Sequence, residues 1–166
     1  MQAAPVSSVF HLTSGRDDFL SPYRPCDHSK IIFSGASSFW YPYPDRCKGG
    51  VFGCHEETPH IEPTLVPQEC GLHLETQQAV LQLRGGQTLT LEQTGAPFAF
   101  SALPNTAQEI EAAQHLFELS DTGRTCVTVL GASRGVGGID SWGTDVEEPY
   151  RLSGEKDYSV SFRFVL

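Results

Sequence analysis

The residues that bear on chemistry are two adjacent acid pairs, a scatter of cysteines and histidines, and a tryptophan behind a run of glycines. Glu56-Glu57 and Glu147-Glu148 invite comparison with the paired carboxyl groups of hydrolases. A retaining glycosidase holds its acid/base and its nucleophile about 5 Å apart. Adjacent acids on a strand point to opposite faces, and in a loop they form a solvated patch, so neither pair reads as a catalytic dyad. Cys47, Cys54, His55 and His60 carry zinc-ligating atoms. Zinc sites typically pair their cysteines about two to four residues apart, and no such pair occurs, so separate thiols are the better reading. Trp142 comes after Gly135, Gly137 and Gly138. An indole offers a flat apolar platform for a sugar ring with an N–H at its edge, and also serves as an ordinary core residue.

Residues 127–138 run from an apolar strand pattern into a G-x-x-x-G-x-G turn, resembling the opening of short-chain dehydrogenases. Dinucleotide binding requires a helix after the glycines, because its N-terminal amides hold the pyrophosphate. The glycines lead instead into Ile139-Asp140-Ser141-Trp142-Gly143, which is turn chemistry. The nucleotide reading is therefore rejected.

The elements that must position these residues read mostly with period two. Ala79 to Arg84, Gly85-Gly86, then Gln87 to Glu92 reads as a β-hairpin, with Leu81, Leu83, Leu89 and Leu91 on one buried face. Tyr158, Val160, Phe162, Phe164 and Leu166 alternate with polar residues, predicting a half-buried C-terminal strand. Further strands are expected at 30–34, 98–102 and 125–130. Thr106 and Glu109 form a capping box after Pro104, and Ile110, Ala113 and Phe117 recur at helical spacing. These predict one short helix near 106–117 lying on a sheet, with His115 capping its C-terminus. Stretch 14–26 is polar and turn-rich. Stretch 47–67 has no clear period and reads as a functional excursion or a poorly ordered connection. The pattern predicts an all-β antiparallel sandwich with one short helix.

The chain has 166 residues, 16 Gly and 11 Pro, and a net charge of −9. The length suits one domain. The acidic balance without a basic patch argues against nucleic acid. No apolar run is long enough to span a bilayer, and no secretory leader is seen, so a cytoplasmic location is expected. Cys26, Cys47, Cys54, Cys70 and Cys126 are odd in number and irregular in spacing, which fits reduced thiols.

Ordered blocks then carry a resemblance. Tyr43-Pro44-Asp45-Arg46, Pro67-Gln68-Glu69-Cys70-Gly71 and Phe98-x-Phe100-Ser101-Ala102-Leu103 come first. Ala113-Gln114-His115-Leu116-Phe117-Glu118-Leu119 and Gly135-x-Gly137-Gly138-x-Asp140-Ser141-Trp142 come after them. Together they resemble the C-terminal domain, or the small subunit, of family 2 β-galactosidases. Tyr150-Arg151-Leu152 and the closing strand also fit. The departures are Cys70 for the family's Asn, His73 near an Arg, Gln77 at another Arg, and Ile139 where an Asp is common. The Gly-Pro-x-Glu before YPDR is replaced by Phe39-Trp40-Tyr41-Pro42.

The resemblance implies a supersandwich of the galactose-mutarotase-like kind, incomplete at its N-terminal side. Residues 1–30 are then a poorly matching lead-in, and 31–166 the C-terminal part of the domain. It implies part of a β-galactosidase acting on terminal β-D-galactosides such as lactose. The catalytic Glu pair is expected in a barrel-bearing chain or domain, as are any Mg and Na. No cofactor and no catalytic residue are expected in this chain, and its partners would be the barrel portion and the sugar. Trp142 would stack on substrate. Gly135, Gly137, Gly138, Asp140 and Ser141 would support its loop. Tyr43, Asp45, Arg46 and Glu69 would be structural or interface residues. Trp40 is a second platform or, more simply, core. The alternatives are a stand-alone galactoside-binding module and a truncated fragment without function.

Overall fold

The computed structural model describes residues 7–12, 30–38, 43–83, 87–120 and 123–166. Among the described residues, nine strands form two antiparallel sheets. One has four strands in the order β1 (Ser7–Leu12), β8 (Thr125–Leu130), β7 (Phe98–Leu103) and β4 (Leu72–Thr76). The other has five, in the order β3 (Val51–Glu57), β2 (Lys30–Ser38), β5 (Gln78–Gln82), β6 (Thr88–Gln93) and β9 (Phe162–Val165). The chain is thus an all-β sandwich with one short helix.

The alternation seen in the sequence is what builds the core. In the five-stranded sheet, register places Phe33 beside Ala79 and Ala79 beside Leu91, with Ile31, Leu81 and Leu89 in the next row. In the other sheet Phe100 lies beside Val129 and Ala102 beside Val127. All ten side chains are buried in one cluster with Phe98. Phe33 meets Phe100 edge to face, with ring centroids 5.7 Å apart, which ties the two sheets together. Each Phe, Leu, Ile and Val among them gains about 1.5–3 kcal/mol from burial, so this cluster dominates the stability of the fold.

The hairpin pairs as expected, with Leu81 beside Leu89 and Leu83 packed against the core, while Gly85-Gly86 lie outside the described residues. The capping box is present in full. Thr106 Oγ1 accepts the Glu109 amide at 3.1 Å, and Glu109 Oε2 accepts the Thr106 amide at 2.8 Å. The other Glu109 oxygen pairs with Arg124. The helix α1 (Ala107–Ala112) seats Ile110 against Cys70 and Leu103.

Four expectations are corrected. The helix stops at Ala112, because Ala113 takes an extended backbone at ψ 135°. Phe117 therefore sits in a separate 3-10 turn (Leu116–Glu118), is 84% exposed, and stacks on His115. His115 does not cap the helix; it contacts Glu118 Oε1 at 3.1 Å. The closing strand starts only at Phe162, since the register of β6 offers it Thr90 to Gln93 alone. Val160 and Phe162 pack on the core, but Phe164 and Leu166 are exposed. Stretch 47–67 holds a regular strand, β3, paired to β2 with Phe33 beside His55. It is an edge strand with an exposed outer face and only a half-buried inner one, so polar residues occupy both and hide the period. The stretch 14–26 and the run 39–42 with Trp40 lie outside the described residues.

A titratable side chain sits inside the sandwich. His73 of β4 is 5% exposed and lies between Phe33 and Phe100, with ring centroids 4.1 and 5.0 Å away. Burial pushes its pKa down to about 4, aided by the nearby His55. The unfolded state therefore binds a proton below about pH 6.5 that the folded state refuses until about pH 4. Stability contributed by neutral His73 is complete above that range and falls as the pH drops through it. The loss should reach about 3 kcal/mol. Denaturant melts of the wild type and His73→Phe between pH 7 and pH 4 should show a difference that narrows or reverses over this window; parallel curves would refute it.

Candidate functional site

Strand β8 ends at Leu130 and runs into a long loop whose glycines have geometric reasons. Gly137, Gly138 and Gly143 have φ of +75°, +71° and +78°, a region that disfavours side chains. Gly135 is excluded from substitution by space. A Cβ there would lie 2.8 Å from both Asp45 Cγ and Val146 Cγ1.

The turn holding Asp45 grips this loop from outside. Its own shape is set by the Arg46 amide donating to the Tyr43 carbonyl at 2.8 Å and the Cys47 thiol donating to the Pro44 carbonyl at 3.1 Å. The Asp45 carboxylate accepts the Val136 amide at 3.1 Å and the Gly137 amide at 2.8 Å. Arg46 donates through Nη2 to the Gly137 carbonyl. Burial alone would raise the Asp45 pKa, but the two amides and the Arg46 guanidinium outweigh it and hold the carboxyl below its ordinary value. Asp45 and Arg46 are thus not an isolated ion pair; together they clamp one peptide segment.

A second frame closes the loop from the other end. The Gly135 amide donates to the Tyr150 carbonyl at 3.0 Å. Asp145 pairs with Arg134 and with Arg151 at 3.3 Å, and Val146 is buried beneath the glycines. Arg134, Asp145, Val146 and Arg151 were not singled out from the sequence. Their only signal is an acid and two bases of ordinary spacing, which becomes a frame once the loop folds back.

Between these frames the tip projects. The Asp140 carboxylate accepts the Trp142 amide at 2.9 Å and the Thr144 amide at 3.3 Å, and the Thr144 hydroxyl also donates to it. These bonds, the hydroxyl's first, hold the Asp140 pKa down. Ser141 is exposed beside it. Trp142 is 91% exposed, which places it outside the core. Holding an indole in water forgoes a burial gain on the order of a few kcal/mol. A loop braced at both ends and at its tip can sustain that.

The other candidates fall elsewhere. Glu69 is exposed and Tyr43 half-buried. Cys70 packs with Leu103 and Ile110, and burial pushes its thiol pKa up, so it behaves as a small apolar residue. Glu56 and Glu57 occupy opposite faces of β3, and Glu147 and Glu148 are exposed at a 3-10 turn. Among the described residues no group of three His, Cys, Asp or Glu side chains has the arrangement to hold a metal ion. No described helix is long and apolar enough to cross a membrane.

The family described as β-galactosidase small chain matches residues 39–165. The protein belongs to it. The β-galactosidase small subunit of Latilactobacillus sakei is 42% identical over 151 residues, covering 83% of this chain and 46% of that protein. A β-galactosidase of Streptococcus thermophilus is 35% identical over 122 residues, covering 72% of this chain and 12% of the relative. β-Galactosidase BgaC of Bifidobacterium adolescentis is 35% identical over 146 residues, covering 86% and 14%. This member of the small-chain family therefore spans about half of one relative and about an eighth of the long ones. The match spans the Asp45 turn, the glycine loop and Trp142 together.

The clamp predicts its own loss. Asp45→Ala leaves the Val136 and Gly137 amides without their charged acceptor and should cost about 1–3 kcal/mol. Hydrogen exchange at these two amides should accelerate well beyond that at β7 amides. Uniform acceleration across the sandwich would show that Asp45 supports the fold at large rather than the loop.

Proposed function

We propose that this protein completes the substrate site of a β-galactosidase whose catalytic carboxylates are supplied by a barrel-bearing chain or domain. The observation that carries the reading is Trp142, presented almost fully exposed at the tip of a loop braced by Asp45, Arg46 and Asp140. Trp142 would stack on the apolar face of the galactoside, with its indole N–H toward a ring hydroxyl. Gly135, Gly137 and Gly138 let the loop turn and pack closely, and Asp140 orients the tip. Tyr43, Asp45, Arg46 and Glu69 would serve the loop or the contact with the barrel portion. The retaining chemistry itself would use two carboxyl groups on that portion. Mg and Na, which the resemblance implies, belong there too in this reading. The free thiols of Cys47, Cys54, Cys70 and Cys126 support a reducing compartment, hence a cytoplasmic assembly.

Complementation tests the proposal. Mixing this small chain with a barrel-bearing β-galactosidase that lacks the matching domain should restore hydrolysis of lactose. Trp142→Ala should lower the restored kcat/KM at least about tenfold, equivalent to about 1.4 kcal/mol of transition-state stabilisation. Trp142→Phe should recover part of it. Failure to restore activity at saturating concentrations, or full activity with Trp142→Ala, would sink the reading.

A further inference from the structure

A cleft of about 400 Å³ opens at the β3 edge of the sandwich, and its lining includes no residue of the loop that carries Trp142. Its size falls in the range that holds small organic molecules, about 300–1,000 Å³. Two core residues, Ile31 and Ala102, give its wall an apolar patch. Glu57, His60, Glu62 and His73 give it a polar side.

The hydrogen bonds fix the state of these groups. His60 Nδ1 lies 2.9 Å from the Thr58 carbonyl oxygen and Nε2 lies 3.1 Å from Glu62 Oε1. Both partners offer acceptor oxygens, an arrangement that favours the protonated ring. The Thr58 carbonyl and the Glu62 carboxylate accordingly raise the His60 pKa. Glu62, 8% exposed, is thereby buried with His60 as its side-chain partner. Opposite it, His73 is a buried neutral ring whose Nδ1 has no hydrogen-bond partner. Its Nε2 approaches Glu57 Oε2 at 3.5 Å, too long for a strong hydrogen bond. Because His73 is neutral, this is a polar contact and not an ion pair. Glu57 therefore has acceptor capacity to spare at the mouth of the cleft.

This arrangement discriminates among ligand classes. Glu57 and Glu62 line the cleft and His60 is already engaged by Glu62, which disfavours phosphates and other anions. A metal ion lacks three suitably arranged ligands among the described residues. An apolar ligand would leave the half-buried Glu57 carboxyl group facing it uncompensated. A pyranose fits both halves. Its hydroxyls donate to Glu57, and its C–H face lies along the apolar wall of the cleft. We infer that the cleft walled by Glu57, His60, Glu62 and His73 is a carbohydrate site for a single pyranose, separate from Trp142.

Galactose titrated into the 166-residue protein, monitored through the NMR signals of the histidine ring protons, tests this. The His55 and His60 signals should shift in the wild type and equally in Trp142→Ala. Glu57→Gln, with its fold verified by circular dichroism, should weaken the binding at least about tenfold. His60→Ala, at a more exposed position, supplies a second variant and should weaken it similarly. The proposal is overturned if galactose leaves these signals unmoved, or if affinity is unchanged in Glu57→Gln and His60→Ala. It is equally overturned if Trp142→Ala abolishes the response, or if zinc alone binds one-to-one and is lost in Glu57→Gln. Because Trp142→Ala keeps the expected binding, this inference and the complementation reading fail separately.

Discussion

The Asp45 carboxylate is the contact on which the rest of the site depends. It joins two segments 91 residues apart by accepting the Val136 and Gly137 amides. A glycine loop on its own has many conformations, and fixing each residue costs about 1–2 kcal/mol of backbone entropy. Neutral hydrogen bonds to water would not offset that. A charged acceptor bonded to two amides does much more, because such bonds are about twice as strong as neutral ones. The missing Cβ at Gly135 is the steric side of the same contact, since the carboxylate occupies the space a side chain would need. Arg46 adds a donor to the Gly137 carbonyl, so one glycine is held through both its amide and its carbonyl.

The sandwich supplies what the clamp requires, two fixed anchor points. Strand β8 delivers the loop from the middle of the four-stranded sheet, paired on both sides by β1 and β7. The Asp45 turn lies outside that sheet, in the passage between β2 and β3. The Phe33–Phe100 contact between sheets therefore bears on the site although neither ring touches it. Stability is unevenly distributed: the interleaved rows of Phe, Leu and Val are fully buried, whereas β3 and β9 are edges with exposed apolar residues such as Phe52 and Phe164. Open edges of this kind are surfaces that other proteins can cover.

Much of this was legible in the residues. Leu81, Leu83, Leu89 and Leu91 announce the hairpin because strand periodicity is a local property. Thr106 and Glu109 announce the helix start for the same reason. The helix end was not legible: Phe117 continues the spacing, but Ala113 turns extended and carries Phe117 into solvent. Strand β3 was missed because an edge strand tolerates polar residues on both faces. The framing pairs around Val146 gave no signal, since they join residues distant in sequence; Glu57 and His60 were visible, but not that the buried His73 meets them across a cleft.

The sequence by itself determined the two-sheet class, the hairpin, the helix cap and the family to which the protein belongs. It also singled out Trp142 and the glycines before it as one unit. It left open whether that tryptophan was core or platform, and whether Asp45 and Arg46 were structural or interface residues. Tertiary structure places Trp142 in solvent and not in the core, and has Asp45 and Arg46 grip the loop that carries it. The physical reason is that exposure and hydrogen-bond partners are properties of where distant segments meet. Residue type restricts what each side chain can do, but only the meeting of the segments selects which of those things it does.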